Sequence, residues 1–437
     1  PIIENKLFFF VNGELESSSF PGINWRPADP ANGINANPDA YISRATVADL
    51  ERMKNHLINQ HGYNPGDYQG FGNFNSDNHK FLARVDWNID YNHRLTLRYN
   101  TVRSENDQGI NATSAPNPRS SFGRVSEKSM AYNNAFYGLL NTVHSFTGEL
   151  NSVLGSNLSN KMLVTYTKIR DTRSSGSDIF PFVDIYEDGD PYMSFGYELF
   201  SFDNDVKNNV FTFTNNLSYY LGKHTLTAGI SFDRLYFGNS YKRYGTSYYR
   251  FASMDAFING ALPTVFGLTY PYEGAGDGYA ELNFGLGSVY LQDEFQVNDR
   301  LRLTGGIRFD RPFFFDDLLP NPAIEALTFQ DLNGNPEKLD VGSWPDAKVL
   351  FSPRFGFNWD VDSEQNIKVR GGSGIFTGRL PFVWFTNQPT NSGVLQNTVE
   401  ISSADTISDM NLGFSADPFA HVNKFPQQPA NVAPGSI

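Results

Sequence analysis

Seven histidines are the first residues in the chain that could hold a metal or move a proton. His56 and His61 are the nearest pair along the sequence. Their spacing of five misses the three or four that places two ligands on one helix face, and no third ligand accompanies them. Asp331-Leu-Asn-Gly-Asn335 resembles a calcium loop, but its Gly is misplaced and no Glu stands at the twelfth position. Asn333-Gly334 reads more simply as a tight turn. The run Asp184 to Asp190, DIYEDGD, could hold calcium; a solvated acidic loop is the plainer reading. Gly274-Ala-Gly-Asp-Gly278 follows no strand and opens no helix, so it is not a dinucleotide loop. Gly371-Gly-Ser-Gly374 lacks the final Gly of a nucleophile elbow and falls in an expected strand. Paired carboxylates abound and none is singled out as catalytic. The absence of cysteine removes disulfides and thiolate chemistry. The residues therefore assign no enzyme activity, no metal and no cofactor.

The elements that would position any site are strands. Phe81, Ala83, Val85, Trp87 and Ile89 alternate with Leu82, Arg84, Asp86, Asn88 and Asp90. Beyond the polar turn, Leu95, Leu97 and Tyr99 alternate with Arg94, Thr96, Arg98 and Asn100. Period two puts each set on one face of a strand, and two such strands about a short turn make a hairpin. One face is apolar and the other carries Arg and Asp. That suits a soluble sandwich, or a membrane barrel with an apolar face to lipid and a polar face to a wet lumen.

The chain has 437 residues, room for two or three ordinary domains or one large barrel. Hydrophobic residues make up 40% and the mean hydropathy is −0.41. No apolar run is long enough for a spanning helix, which leaves a barrel open, since barrel strands signal weakly. Aromatics reach 15%, with 38 Phe and 22 Tyr, as aromatic girdles or a sugar-binding β protein would require. A net charge of −13 without a basic stripe argues against nucleic-acid binding. The Pro-Ile-Ile start, with neither Met nor signal peptide, reads as processed or cut.

Lys6–Glu16 is expected as a first strand. A polar stretch follows to about Asn78, with one helix from Thr46 to His61. Thr46 and Asp49 resemble a capping box and Gly62 a C-terminal stop. Val47, Leu50, Met53, Leu57 and Ile58 share a face that should pack on the helix's own loop. Four further hairpins are expected after the one above. They are Asn141–Leu154 with Lys161–Asp171, Val210–Tyr220 with Thr225–Tyr236, Leu286–Val297 with Leu301–Arg311, and Phe351–Val361 with Ile367–Phe376. A short helix is expected near Ser253 to Asn259, and no strand after Gly378. This gives about eleven strands of roughly the 9–11 residues or more that a tilted strand needs to cross a bilayer. Connections alternate between a few residues and several tens. Short turns at one end and long loops at the other are the pattern of an outer-membrane barrel; a sandwich has short loops at both ends. An odd strand count and two open edges in lipid imply missing strands at both ends.

Gly305-Gly-Ile-Arg-Phe-Asp310, preceded by Val289-Tyr-Leu-Gln-Asp-Glu-Phe295, resembles the late-barrel hairpin of TonB-dependent outer-membrane transporters. Pro1-Ile-Ile-Glu-Asn-Lys-Leu-Phe-Phe-Phe10 and Val369–Trp384 are similar to strands of the Oar-like branch, found in Bacteroidetes-like sequences. The resemblance implies an all-β protein, an antiparallel transmembrane β-barrel meander forming about half of a 22-stranded barrel, with long extracellular loops. Residues 1–437 would be an incomplete barrel domain lacking the plug, the TonB box and the N-terminal domain. It further implies the Gram-negative outer membrane, and motive power from TonB, ExbB and ExbD through the missing plug. A surface lipoprotein is a further possible partner.

Two sets of side chains are candidates for function. Arg84, Asp86, Arg98, Arg302, Arg308, Arg354 and Asp360 fall on the expected lumen face, to line a polar path or to pair with one another or a plug. Thr227 joins that face. Phe81, Val85, Trp87, Leu95, Leu97, Leu226, Ile230, Leu303, Ile307, Phe355 and Phe357 are expected on the lipid face. The loop aromatics Tyr249, Tyr270, Tyr272, Trp384 and Phe385 could form a ligand surface, or pack the loops together. Transport of a bulky solute (a nutrient, peptide or polypeptide) is the expected function. The alternatives are a structural barrel component of an outer-membrane assembly and a soluble aromatic-rich glycan-binding β protein.

Overall fold

A computed structural model describes residues 1–112, 114–362, 366–378 and 381–428. Eleven strands follow one another as an antiparallel meander. They are β1 (Leu7–Pro21), β2 (Asn73–Asn88), β3 (His93–Gln108), β4 (Tyr137–Val153), β5 (Leu158–Ser175), β6 (Asp205–Leu221), β7 (His224–Ser240), β8 (Ala280–Asn298), β9 (Leu301–Phe314), β10 (Arg354–Asp360) and β11 (Lys368–Gly374). The two-residue segment Leu350–Phe351 also pairs with β9. Among the described residues β1 and β11 do not pair, so the sheet has two open edges. The turn expected at Asp362–Gln365 falls mostly on 363–365, outside the described residues.

The first nine strands outrun the sequence reading. β1 reaches Pro21 rather than Glu16, and β8 runs 19 residues. At about 3.3 Å per residue and a tilt near 45°, such strands exceed the ~25 Å apolar band of a barrel. Their ends therefore stand in water. There neither face must be apolar, so the alternation fades and with it the signal in the sequence.

The register carries one face through the whole sheet. Phe81, Val85 and Trp87 share a side with Leu95 and Leu97. Leu226 and Ile230 face Asp293 and Val289 on the same side. That side continues through Leu303 and Ile307 to Phe355 and Phe357. Many of its members, including Ile230, Val289, Leu291, Ile307 and Phe355, are strongly exposed. A water-soluble fold would not leave so broad an apolar surface bare.

The long connections fold into a cap with its own core. A second sheet runs in the order Gln396–Ile401, Val265–Pro271, Tyr248–Phe251, Phe182–Glu187, Asp190–Phe195, Met130–Ala131. Its strands come from three connections and from the segment after β11. The strand Gln396–Ile401 corrects the expectation that none follows Gly378. It pairs along its length with Val265–Pro271, a partner more than a hundred residues earlier that no local pattern reveals.

The helix α1 (Val47–His61) starts and stops where expected. The Thr46 hydroxyl accepts the Asp49 amide, and Gly62 closes the helix at φ +66. Leu50, Met53 and Leu57 are fully buried. They share one core with Ala45, Tyr63 and Tyr68 of the helix's own connection and with Tyr132, Phe195 and Phe257 of other connections, and Ile58 stays exposed. Three buried positions need more apolar surface than one loop supplies, so the helix joins the shared core.

Ile307 and Arg308 are neighbours on opposite faces. In the full-length protein refolded into lipid vesicles, Ile307→Arg is expected to cost about 2–4 kcal/mol near the midplane, read from denaturant unfolding. Arg302→Ala on the opposite face, whose partner Glu294 stays exposed, should cost clearly less. Equal costs would contradict the assigned faces.

Candidate functional site: a charged concave face beneath a folded cap

The side opposite the apolar one is polar from strand to strand. Arg84 lies across from Arg98 and Asp86 from Thr96. Thr96 faces Glu149, Glu294 faces Thr304, and Arg302 faces Asn358. This side is concave. A cavity of about 1340 Å³ is lined by residues of nine strands, Arg94, Lys161, Asn216, Thr227, Gln292 and Arg354 among them.

Most charges on this face are paired. Asp86 accepts from Arg84 at 2.7 Å, Arg94 at 3.1 Å and Thr96 at 2.7 Å. Lys161 meets Glu149 at 3.2 Å, Arg302 meets Glu294 at 3.5 Å and Lys368 meets Asp360 at 3.5 Å. Arg308 donates to Asp310 at 2.8 Å and to Ser288 at 2.7 Å. Its guanidinium also lies 5.2 Å from the centre of the Tyr290 ring. That ring occupies the space above Gly229, where a Cβ would sit 2.2 Å from it. Glycine at this position lets Tyr290 lie flat and hold Arg308. Arg98 has no ion pair among the described residues, and Arg354 lies 5.9 Å from the Phe376 ring.

The loop aromatics separate into two groups. Tyr249, Tyr270 and Tyr272 are buried, a placement that makes them packing residues of the cap. The Tyr270 hydroxyl donates to the Pro426 carbonyl at 2.6 Å. Trp384 is exposed. Phe385 stacks on Phe284 with ring centres 5.9 Å apart, beside Trp344.

At the centre of the cap lies a polar group that sequence reasoning missed. Asp184 is 3% exposed and Arg124 is 3% exposed. The guanidinium meets the carboxylate through two bonds, of 2.8 and 2.9 Å. Asp184 also accepts from Ser194 at 2.7 Å and from the Tyr248 hydroxyl at 2.8 Å. Arg124 donates to the carbonyls of Asn111 and Ser114. Arg250 adds bonds to Tyr248 and to the carbonyls of Pro116 and Pro118. Three long connections are thus bolted together. The reading of DIYEDGD as a solvated loop fails at Asp184, while Asp188 at the turn of the run is exposed. The signal was present: a lone carboxylate between Val183 and Ile185 in an apolar run needs a buried cation.

Among the described residues, no group of three potential metal ligands converges. His56 and His61 contact each other in an aromatic setting, with ring centres 5.3 Å apart and Phe257 against both. Asn333-Gly334 is a turn, with Gly334 at φ +81.

An antiparallel meander, apolar outside and charged inside, with a folded cap at one end, defines a membrane-spanning barrel protein. The family model described as outer membrane beta barrel domain matches residues 1–437, and the chain belongs to that family. Its place is the outer membrane of a Gram-negative bacterium. No curated protein sequence matches it.

Among solved structures, the chain is similar to the outer membrane transporter YddB from Escherichia coli. Identity is 12%, the match covers 92% of this chain and 40% of that one, and the TM-score is 0.51. The siderophore receptor PirA from Acinetobacter baumannii matches at 12% identity, covering 86% and 38%, with a TM-score of 0.41. The ferric yersiniabactin uptake receptor FyuA from Yersinia pestis matches at 8%, covering 83% and 41%, with a TM-score of 0.41. The chain spans about two fifths of the length of these proteins. At such identity the likeness to YddB shows the fold.

Two outcomes test the cap. Arg124→Ala strands a buried carboxylate, and in the full-length protein it should destabilise the cap by about 3–5 kcal/mol, read from amide exchange of the cap strands. Unchanged exchange would contradict the bolt.

The second concerns Glu198, which is buried and whose carboxyl burial pushes up. A raised folded pKa means stability that is complete below the unfolded value of about 4.3 and lost as pH rises through the folded value. Burial holds His56 and His61 below their usual value, so their contribution runs the other way and is lost as pH falls below about 6.5. The comparison must therefore be made against Glu198→Gln. Relative to that variant, the wild-type cap should gain stability as pH falls toward 4.3, seen as a rising urea midpoint. Parallel pH profiles would contradict the burial of a titrating Glu198.

Proposed function

We propose that the chain forms part of the barrel wall of a TonB-dependent transporter of the Oar-like branch. It would carry a bulky solute (a nutrient, peptide or polypeptide) inward across the outer membrane. The observation that carries this reading is the pairing of a charged concave face with a rigid cap over the long-connection end. A polar, ion-paired lumen suits a solvated path or a plug surface, and a cap at that end suits capture from outside. Arg84, Arg98, Arg302, Arg308 and Arg354 would face the lumen. Arg98, with no ion pair of its own here, is the natural contact for a plug carboxylate. Of the loop aromatics, Trp384 and Phe385 lie where a ligand could reach them. Strands outside this sequence would pair the open edges of β1 and β11, because unpaired backbone is not tolerated in lipid. Motive power would come from TonB, ExbB and ExbD through the plug, and a surface lipoprotein is a candidate partner.

The test uses the full-length protein in detergent with the purified periplasmic domain of TonB. Saturable binding, lost when residues N-terminal to the plug are deleted, is expected. No binding would contradict the transport reading. If a lipoprotein then co-purified at fixed stoichiometry, the role would be that of a structural component of an assembly.

A further inference from the structure

A cleft of about 410 Å³ lies where the cap meets the upper ends of β2, β3, β4 and β5. Ligand pockets span roughly 300–1,000 Å³, so it is large enough to hold a small molecule. Its apolar walls are Phe71, Phe74, Phe136 and Tyr137. Phe136 contacts Phe71 at 5.1 Å and Phe74 at 6.0 Å between ring centres. These rings line the cleft half-buried, Phe71 packing on the cap core behind it.

The polar lining is almost wholly uncharged. It is made of amides and hydroxyls, Gln108, Asn133, Ser174 and Ser175 among them, with Asp107 the one carboxylate and no Lys or Arg. Among the described residues, the Gln108 amide and the Tyr137 hydroxyl have no hydrogen-bond partner. Asn133 uses its carbonyl oxygen to accept the Asp67 amide at 2.8 Å, which turns its NH2 group free. Asp107 spends one oxygen on the Asn75 amide at 2.9 Å and keeps the other.

This lining selects a ligand class. An anion would meet the Asp107 carboxylate and no cation of the lining itself, the Arg173 guanidinium being held over the Tyr137 ring, so phosphates and organic acids are disfavoured. A purely apolar ligand would strand the amides and hydroxyls. A neutral polyol with an apolar ring face satisfies both sets. The rings take its C–H face, and Gln108, Asn133, Tyr137 and the free Asp107 oxygen take its hydroxyls. We infer that this cleft binds a neutral saccharide of one or two sugar units at the outer rim of the barrel. Binding there needs no energised membrane, so it can fail or succeed independently of the TonB reading.

The test uses full-length protein in a zwitterionic detergent, because a glycoside detergent would itself compete. Maltose, cellobiose and mannobiose are titrated by saturation-transfer NMR, with choline as the cationic contrast. Saturable binding of at least one disaccharide is expected. It should weaken about tenfold in Gln108→Ala, a half-exposed site whose loss leaves the fold intact, and more in Phe136→Ala. Three results would overturn the inference: no disaccharide binding, disaccharide binding unchanged by Gln108→Ala, or binding of choline alone.

Discussion

The cap depends on one ion pair. Arg124 and Asp184 meet in a nearly water-free site, joined by Ser194, Tyr248 and two carbonyls of Arg124's own connection. Taking both charges out of water is costly, and only near-complete hydrogen bonding offsets that cost. The yield is specificity more than stability. A bidentate fork accepts one geometry, so the connections after β3, β5 and β7 meet in one arrangement. The aromatic core around Phe195, Phe251, Phe257 and Phe266 then packs on a frame already fixed.

Beneath the cap a different constraint rules. Lipid offers no hydrogen bonds, so each strand must pair with a neighbour and turn an apolar face outward. The concave face is released from that demand. It carries Arg84, Arg94, Arg302 and Arg308 with their carboxylate partners, and Tyr290 folded over Gly229. One chain thus obeys two solvent rules, and the boundary between them lies where the strands leave the apolar band.

This boundary explains what the sequence revealed. Phe81 to Ile89 and Leu301 to Phe309 alternate cleanly because lipid enforces the pattern, so hairpins and faces were legible there. Pairing with sequence neighbours followed from short turns such as that between β6 and β7. The cap was illegible for the opposite reason. Its strands are short, most of them are buried on both sides, and several are partnered across long separations, as Gln396–Ile401 is with Val265–Pro271. For the same reason the sequence left Tyr249 and Tyr270 between a ligand surface and packing among the loops: nothing local records the core that covers them. In α1 the caps at Thr46 and Gly62 were local and readable, while the helix's partners from other connections were not.

The central claim is that one face of this meander meets lipid and the other meets water. Because the chain has no cysteine, a single introduced thiol reports its own surroundings within it. The most direct measurement compares Ile307→Cys with Arg308→Cys in the full-length protein in native outer membranes, probed with a charged, water-soluble maleimide and with a lipid-dissolved one. The account predicts that the thiol at 308 reacts with the aqueous reagent and the thiol at 307 only with the lipid-dissolved one. Equal aqueous labelling at both positions, or the reverse preference, would contradict it.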